Sequence, residues 1–290
     1  MKHAIMVMGF GNKYDVLQET INILDDIDID FFIHWDKRFP LPKLYSNHSR
    51  IIYIPRIKVR WATDLQTKAQ ILLMNSVINN NLDIKYGYCH LISSNDIPLM
   101  DKNYFKNYFK EGSYYLGFFD YLNDYEYKKM KYYYPIRYFN IKNNLTGYIL
   151  IRLFTLLNKI FHINRINRNC IEKGVNWYSL DIKYIEEVMK KDNFQIFKNT
   201  ISSDEFYMQT SLKKLKPKDE TNIYDYYSDK YRLTESSKLS SRYIDFYRGT
   251  PYVFSMSDLD ELRQNINSKY AFARKVYDKD VPLRLFNNHI

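Results

Sequence analysis

Apolar and polar positions along the first 120 residues switch between two periods. The run HAIMVM at 3–8 is continuous and short, and it predicts a buried strand. In KYDVLQETINIL, 13–24, Val16, Leu17, Ile21 and Leu24 recur at helical spacing and share one face. DFFIHWD, 30–36, predicts a second strand, and RIIYIP, 50–55, a short third one stopped by Pro55. An amphipathic helix is expected at 63–79 and a central strand at 86–93, YGYCHLIS. SNDIPL reads as a turn, followed by a helix near 101–109 and a strand at 114–119. Strands alternating with helices imply an α/β fold, a mostly parallel sheet with helices on both faces. Ligands of such sheets sit beyond the carboxyl ends of the strands, so the places to search follow Met8, Asp36 and Asp96.

The alternation breaks down after about residue 120. Residues 121–175 are rich in Tyr, Lys and Asn around one apolar, basic stretch at 145–168. That stretch could lie on an anionic membrane, but an all-round apolar helix is usually buried, which favours a core or lid helix. Order returns with a short strand leading into a helix at 181–190 and a helix from about 204. A strand near 243–246 and a helix at 257–265 follow. The expected organisation is one domain over 1–290, with a divergent second half from 121.

Composition narrows the function classes. Only 8 glycines occur, and no Gly-rich phosphate loop is among them. The net charge of +10 favours anionic partners, but the basic residues are scattered and no nucleic-acid motif accompanies them. Cys89 and Cys170 make no disulfide framework and point to a reducing compartment. The first residues read as a strand rather than a signal peptide, and no apolar run reaches the roughly 18 residues of a spanning helix. A cytoplasmic protein is expected, with peripheral membrane contact left open.

Several polar clusters could carry chemistry. Asp36 ends a strand and could hold a ribose or a base edge, or simply satisfy turn N–H groups. Asp96 is a lone carboxylate among serines, a poor site for a hard cation, though a substrate contact stays open. In NTISSDEFYMQTSL, 199–212, Asp204 and Glu205 stand at an expected helix start. Asp204 can cap while Glu205 points outward. Arg242, Arg248, Arg274 and Lys275 are either solvated surface charge or a cationic clamp for a diphosphate.

Eight segments in order resemble one family, the bacterial branch of the core-2/I-branching β-1,6-N-acetylglucosaminyltransferases (glycosyltransferase family 14). They are HAIMVMGFGNKYDVLQETINIL, FFIHWDKR, VRWATDLQTKAQILLMNSVI, YGYCHLISSNDIPL, GVNWYSLDIKYIEEVM, SSDEFYMQT, SRYIDF and YAFARKVYD. The resemblance implies a GT-A type, Rossmann-like transferase that inverts the anomeric centre and uses no divalent metal and no other cofactor. It implies Glu205 as catalytic base, Asp36 at the nucleoside, and Arg242 and Lys275 at the UDP diphosphate. Trp61, Asp96, Trp177 and Asp204 then fall near the sugar or acceptor.

Where relatives carry Trp-Gly-Gly, this chain has Trp61-Ala62-Thr63, and where they have Ser-Gly-x-Asp it has Ser93-Ser94-Asn95-Asp96. The implied donor is UDP-N-acetylglucosamine, with UDP-galactose, UDP-glucose or UDP-xylose as alternatives. The implied acceptor is a glycan or lipid-linked oligosaccharide in bacterial surface polysaccharide synthesis. The rival readings are an inactive carbohydrate-binding module, a nucleic-acid binder, and a glycoside hydrolase. The last would want two carboxyl groups about the scissile bond.

Overall fold

The computed structural model describes residues 1–139, 141, 145–217 and 235–286. The chain opens with β1 (Lys2–Gly9), α1 (Asp15–Ile23), β2 (Ile29–Trp35), β3 (Ile51–Tyr53) and α2 (Asp64–Asn81). It continues with β4 (Tyr86–Ser93), β5 (Asp96–Pro98), α3 (Lys102–Tyr108), β6 (Tyr114–Leu116), α4 (Asp124–Lys131) and α5 (Leu145–Ile160). Then come β7 (Tyr178–Asp181), α6 (Ile182–Lys191), β8 (Arg242–Ile244) and β9 (Phe272–Arg274). Six strands form one sheet in the order β3-β2-β1-β4-β7-β6, parallel except for β7, which runs against both neighbours. This is the α/β architecture that the alternating pattern predicts.

The two-residue period of β1 splits the core into two layers. Ala4 and Met6 face the side covered by α2 and α6, packing with Leu73, Val77, Ile185 and Val188. Ile5 and Val7 face the other side, with Leu17 and Ile21 of α1 and Phe105 of α3. β2 is buried along its whole length, as a strand covered on both faces must be. Each such large apolar side chain contributes about 1.5–3 kcal/mol by leaving water.

The Asp96-Ile97-Pro98 segment is a strand rather than the expected turn. It pairs with β9, which pairs with β8, giving a small second sheet in the order β5-β9-β8. Three residues carry too little periodicity to announce a strand, and the partner lies far along the chain.

The stretch expected as a core or lid helix contains α5, but only Gly147 and Asn158 of that helix are buried. Leu150, Ile151 and Phe154 pack on a small cluster with Ala62, Tyr134, Ile136 and Ile201. The opposite face is exposed. Apolar residues on both sides of a helix look identical in sequence whether or not the second side is covered.

Candidate active site at the carboxyl edge of the sheet

β1, β2 and β4 end at Gly9, Trp35 and Ser93 on one edge of the sheet. β7 is antiparallel to β4, with His90 opposite Ser179, so its first residues lie on that same edge. α2 also begins there, since it returns from β3. Two groups of polar side chains and one exposed tryptophan gather along this edge.

The first group is built on the Asp96–Arg274 cross-strand pair of the small sheet. The buried Asp96 carboxylate accepts hydrogen bonds from the Ser93 N–H and hydroxyl, both at 2.8 Å, and from Arg274 Nη1 at 2.7 Å. Arg274 also donates to the Ser93 hydroxyl. Its guanidinium lies over the Trp177 ring, 4.3 Å from the centroid. The side chain keeps 18% of its surface open. Lys275 follows, partly exposed, with its ammonium 5.3 Å from the Tyr277 ring centroid.

Arg242 takes a different place from the one expected. It is fully buried, with its guanidinium 5.0 Å from the Phe272 ring centroid. Its Nη1 donates to the Ser179 hydroxyl at 3.1 Å and the Ser240 carbonyl at 2.9 Å. Its Nη2 donates to the carbonyls of Leu91 at 3.2 Å and Tyr178 at 2.6 Å. Burial pushes its pKa down to about 9, against the pull of Asp96. Arg242 therefore ties β4, β7 and the small sheet together and presents no surface to a diphosphate.

Asp36 is also buried, and its oxygens are occupied. Arg38 holds the carboxylate through Nε and Nη2, and the N–H groups of Arg38 and Val59 donate to it at 3.0 and 3.3 Å. The turn-satisfying role open to it in the sequence is the one it fills here.

The second group centres on Asp204 and Glu205. They sit in a single 3₁₀ turn, Ser203–Glu205, followed by a short helix at Tyr207–Ser211. The turn docks on the start of α2: Thr67 and Ser203 share a hydroxyl hydrogen bond at 2.7 Å, and the Ser202 N–H donates to the Ala62 carbonyl at 2.9 Å.

The expected cap is absent, because Asp204 accepts no hydrogen bond from the helix N–H groups. Its buried carboxylate instead accepts from Gln66 Nε2 at 3.2 Å. Burial, and next the charge of Glu205, push its pKa up to about 7. Glu205 is the more open of the two, with 38% of its side chain exposed, and pairs with Lys173 at 3.1 Å. Lys173 also meets Glu126 at 2.7 Å. Although burial alone would lower it, the Lys173 pKa is raised by these two carboxylates.

Lys173 and Trp177 belong to one short strap, so the two groups are linked. Four residues of extended chain span at most about 14 Å, and that bounds the separation of their Cα atoms. The strap is pinned at Gly174, whose N–H donates to the Glu205 carbonyl at 3.0 Å. A Cβ on Gly174 would fall 1.9 Å from the Gly117 carbonyl oxygen, so no larger residue fits.

The third feature is Trp61-Ala62. Trp61 is 56% exposed beside the start of α2. Ala62 has φ +57, the left-handed region that glycine occupies without cost.

Lys173 is the residue that sequence reasoning did not single out for this site, whereas Arg274 stood among the candidate clamp residues but not among those the resemblance implied. Neighbours along a strand face opposite ways, so the β5–β9 pairing would have selected Arg274 as the partner of Asp96. No pattern in the sequence marks Lys173. A separate recess of about 820 Å³, lined by Asn22, Asp101 and Asn107 among others, opens by the loop into β2, away from this edge. Among the described residues, no three His, Cys, Asp or Glu side chains are arranged so that they could hold a metal ion, and no helix is long and apolar enough to cross a membrane.

Comparison with protein families finds a match over residues 4–240 to the model described as Core-2/I-Branching enzyme. A search of curated proteins finds no match.

Proposed function

The chain belongs to the core-2/I-branching enzyme family of glycosyltransferases, and on that premise we propose an inverting transfer from a UDP-sugar to a glycan hydroxyl, with Glu205 as base. A nucleotide-sugar donor and a glycan acceptor come with the family. The observation that carries the finer reading is the strap 173–177. It joins a part-exposed carboxylate to a guanidinium that keeps only part of its surface open on the ligand edge of the sheet.

In the proposed step the acceptor oxygen attacks the anomeric carbon as the bond from that carbon to the diphosphate oxygen breaks. Glu205 takes the hydroxyl proton. Attack opposite the departing group inverts the centre. The diphosphate leaves as an anion and needs no proton, but it does need a fixed positive field. Arg274 and Lys275 supply that field in this reading, and Arg242 supports them from within. Asp96 is already engaged by Arg274 and Ser93, which favours a site that works without a divalent metal.

Asp36 would meet the nucleoside by exchanging one of its contacts with Arg38. Trp61, Trp177 and Asp204 border the space for the sugar and acceptor. N-acetylglucosamine is the proposed donor sugar and bacterial surface polysaccharide the proposed product.

Titration of nucleotides and UDP-sugars, followed by thermal stability with and without EDTA, tests this. A ligand that binds only the folded chain raises its stability with the logarithm of saturation. UDP and one UDP-sugar should raise Tm, and EDTA should change nothing. No shift with any nucleotide would favour a carbohydrate-binding module. A shift abolished by EDTA would overturn the metal-free part.

A further inference from the structure

The outer face of α5 carries a continuous apolar stripe that the fold leaves open. Leu145, Ile149, Leu153, Leu156 and Ile160 recur at spacings of three and four and so lie on one face. Leu145 is 75% exposed and the other four are also exposed. Arg152 and Lys159 fall together on one flank of this stripe, Arg152 over the Tyr148 ring at 4.3 Å from its centroid. The charge along the local sequence is of one sign. From Tyr127 to Ile171 the sequence holds nine lysines and arginines and no acidic residue. Some of these cations are engaged, Arg137 by Asp64 and Arg168 by Asp124. Arg152 and Lys159 are exposed.

We propose that this face is a docking surface for an anionic lipid bilayer. At 16 residues, about 24 Å, α5 is too short to cross a hydrocarbon core but suits the interface plane. There its leucines enter the acyl boundary while Arg152 and Lys159 reach lipid phosphates. The charge pattern favours this occupant over a second copy of the chain, because two copies meeting here would set basic regions against each other. The inner face of α5 rests on the cluster that includes Ala62 and Ile201. Those residues adjoin Trp61 and the Ser203–Glu205 turn, so docking brings that end of the edge to the membrane surface. This orientation matters to catalysis only if the Glu205 reading holds, whereas the docking itself is independent of it.

Sedimentation of the full chain with vesicles tests the proposal with no sugar present. The chain should bind phosphatidylglycerol vesicles, bind phosphatidylcholine vesicles far less, and release as salt is raised. Leu153→Glu and Leu156→Glu should each weaken binding about tenfold or more, since each removes an apolar side chain that the bilayer would bury. Both positions are exposed, and an unchanged Tm verifies folding. Arg152→Glu with Lys159→Glu, which leaves the apolar stripe intact, should abolish the preference for anionic lipid. Absence of binding to phosphatidylglycerol vesicles would overturn the proposal. So would binding that the leucine variants leave unchanged, or a dimer in solution that Leu153→Glu splits.

Discussion

Lys173 sets its ammonium 3.1 Å from the Glu205 carboxylate, and Glu126 holds the same ammonium from the other side at 2.7 Å. A carboxylate gripped in this way has a fixed direction. Lys173→Met should lower kcat for transfer by roughly tenfold to a hundredfold, the scale of a misplaced reacting group. UDP affinity should be unchanged, because the lysine lies on the far end of the strap from Arg274. Steady-state kinetics with a parallel UDP titration separates the two effects.

Arg242 and Arg274 should differ in their effect on UDP binding. Arg274→Ala removes a partly exposed cation and should weaken UDP binding roughly tenfold to a hundredfold, as expected for a charge-assisted hydrogen bond, and it should also cost stability because the buried Asp96 carboxylate loses its cation. Lys275→Ala should also weaken UDP binding. Arg242→Ala instead strips donors from the buried carbonyls of Leu91, Tyr178 and Ser240. It should cost about 3 kcal/mol or more in stability. Urea denaturation and UDP titration on all three variants check this. A direct loss of UDP affinity in a fully stable Arg242→Ala protein would contradict it.

Ala62 adopts φ +57 where a side chain is unwelcome. The left-handed region costs an L-residue about 1–2 kcal/mol, partly offset by the extra entropy glycine loses on folding. Ala62→Gly should therefore stabilise the fold by about 0.5–1 kcal/mol, read as a higher urea midpoint at unchanged slope.

Sequence pattern was informative where periodicity is long and local. The strand at 3–8 and the helix at 63–79 each have neighbours that repeat the signal, and both formed within a residue or two. β5 was hidden because a three-residue strand is defined by its partner, β9, some 175 residues later. The acid pair was visible as a pair, but their division of labour was only half legible. Glu205 points outward as the residues suggested. Asp204 does not cap, because Ser202 at φ +53 turns the chain into a tight 3₁₀ segment and buries the carboxylate against Gln66. For the basic residues, sequence could count charges but not say which were interior. Arg242 and Arg274 look alike in a row of letters, and only the meeting of the two sheets separates them.

The buried Asp204 carboxyl makes stability depend on pH. Its pKa is raised from the ordinary 3.8 to about 7, first by burial and then by Glu205. Between those values the folded chain binds a proton that the unfolded chain has lost, so stability falls as pH rises through this window. Above pH 7 the penalty is complete. Asp204→Asn should stabilise the protein at pH 8 by a few kcal/mol, of the order implied by such a shift. The gain should fade toward pH 4. Urea denaturation at both pH values measures it, and an equal gain at each would show that the proton is not involved.

The central claim is that Glu205 takes the proton from the acceptor. Glu205→Gln keeps the shape of the side chain and removes its basicity. Transfer should be measured with the donor that the titration identifies, alongside UDP affinity in the same variant. UDP binding at the parent level with transfer reduced at least about a hundredfold is the expected result, the usual loss when a general base is removed. Transfer near the parent rate would show that another group, or none, serves as the base.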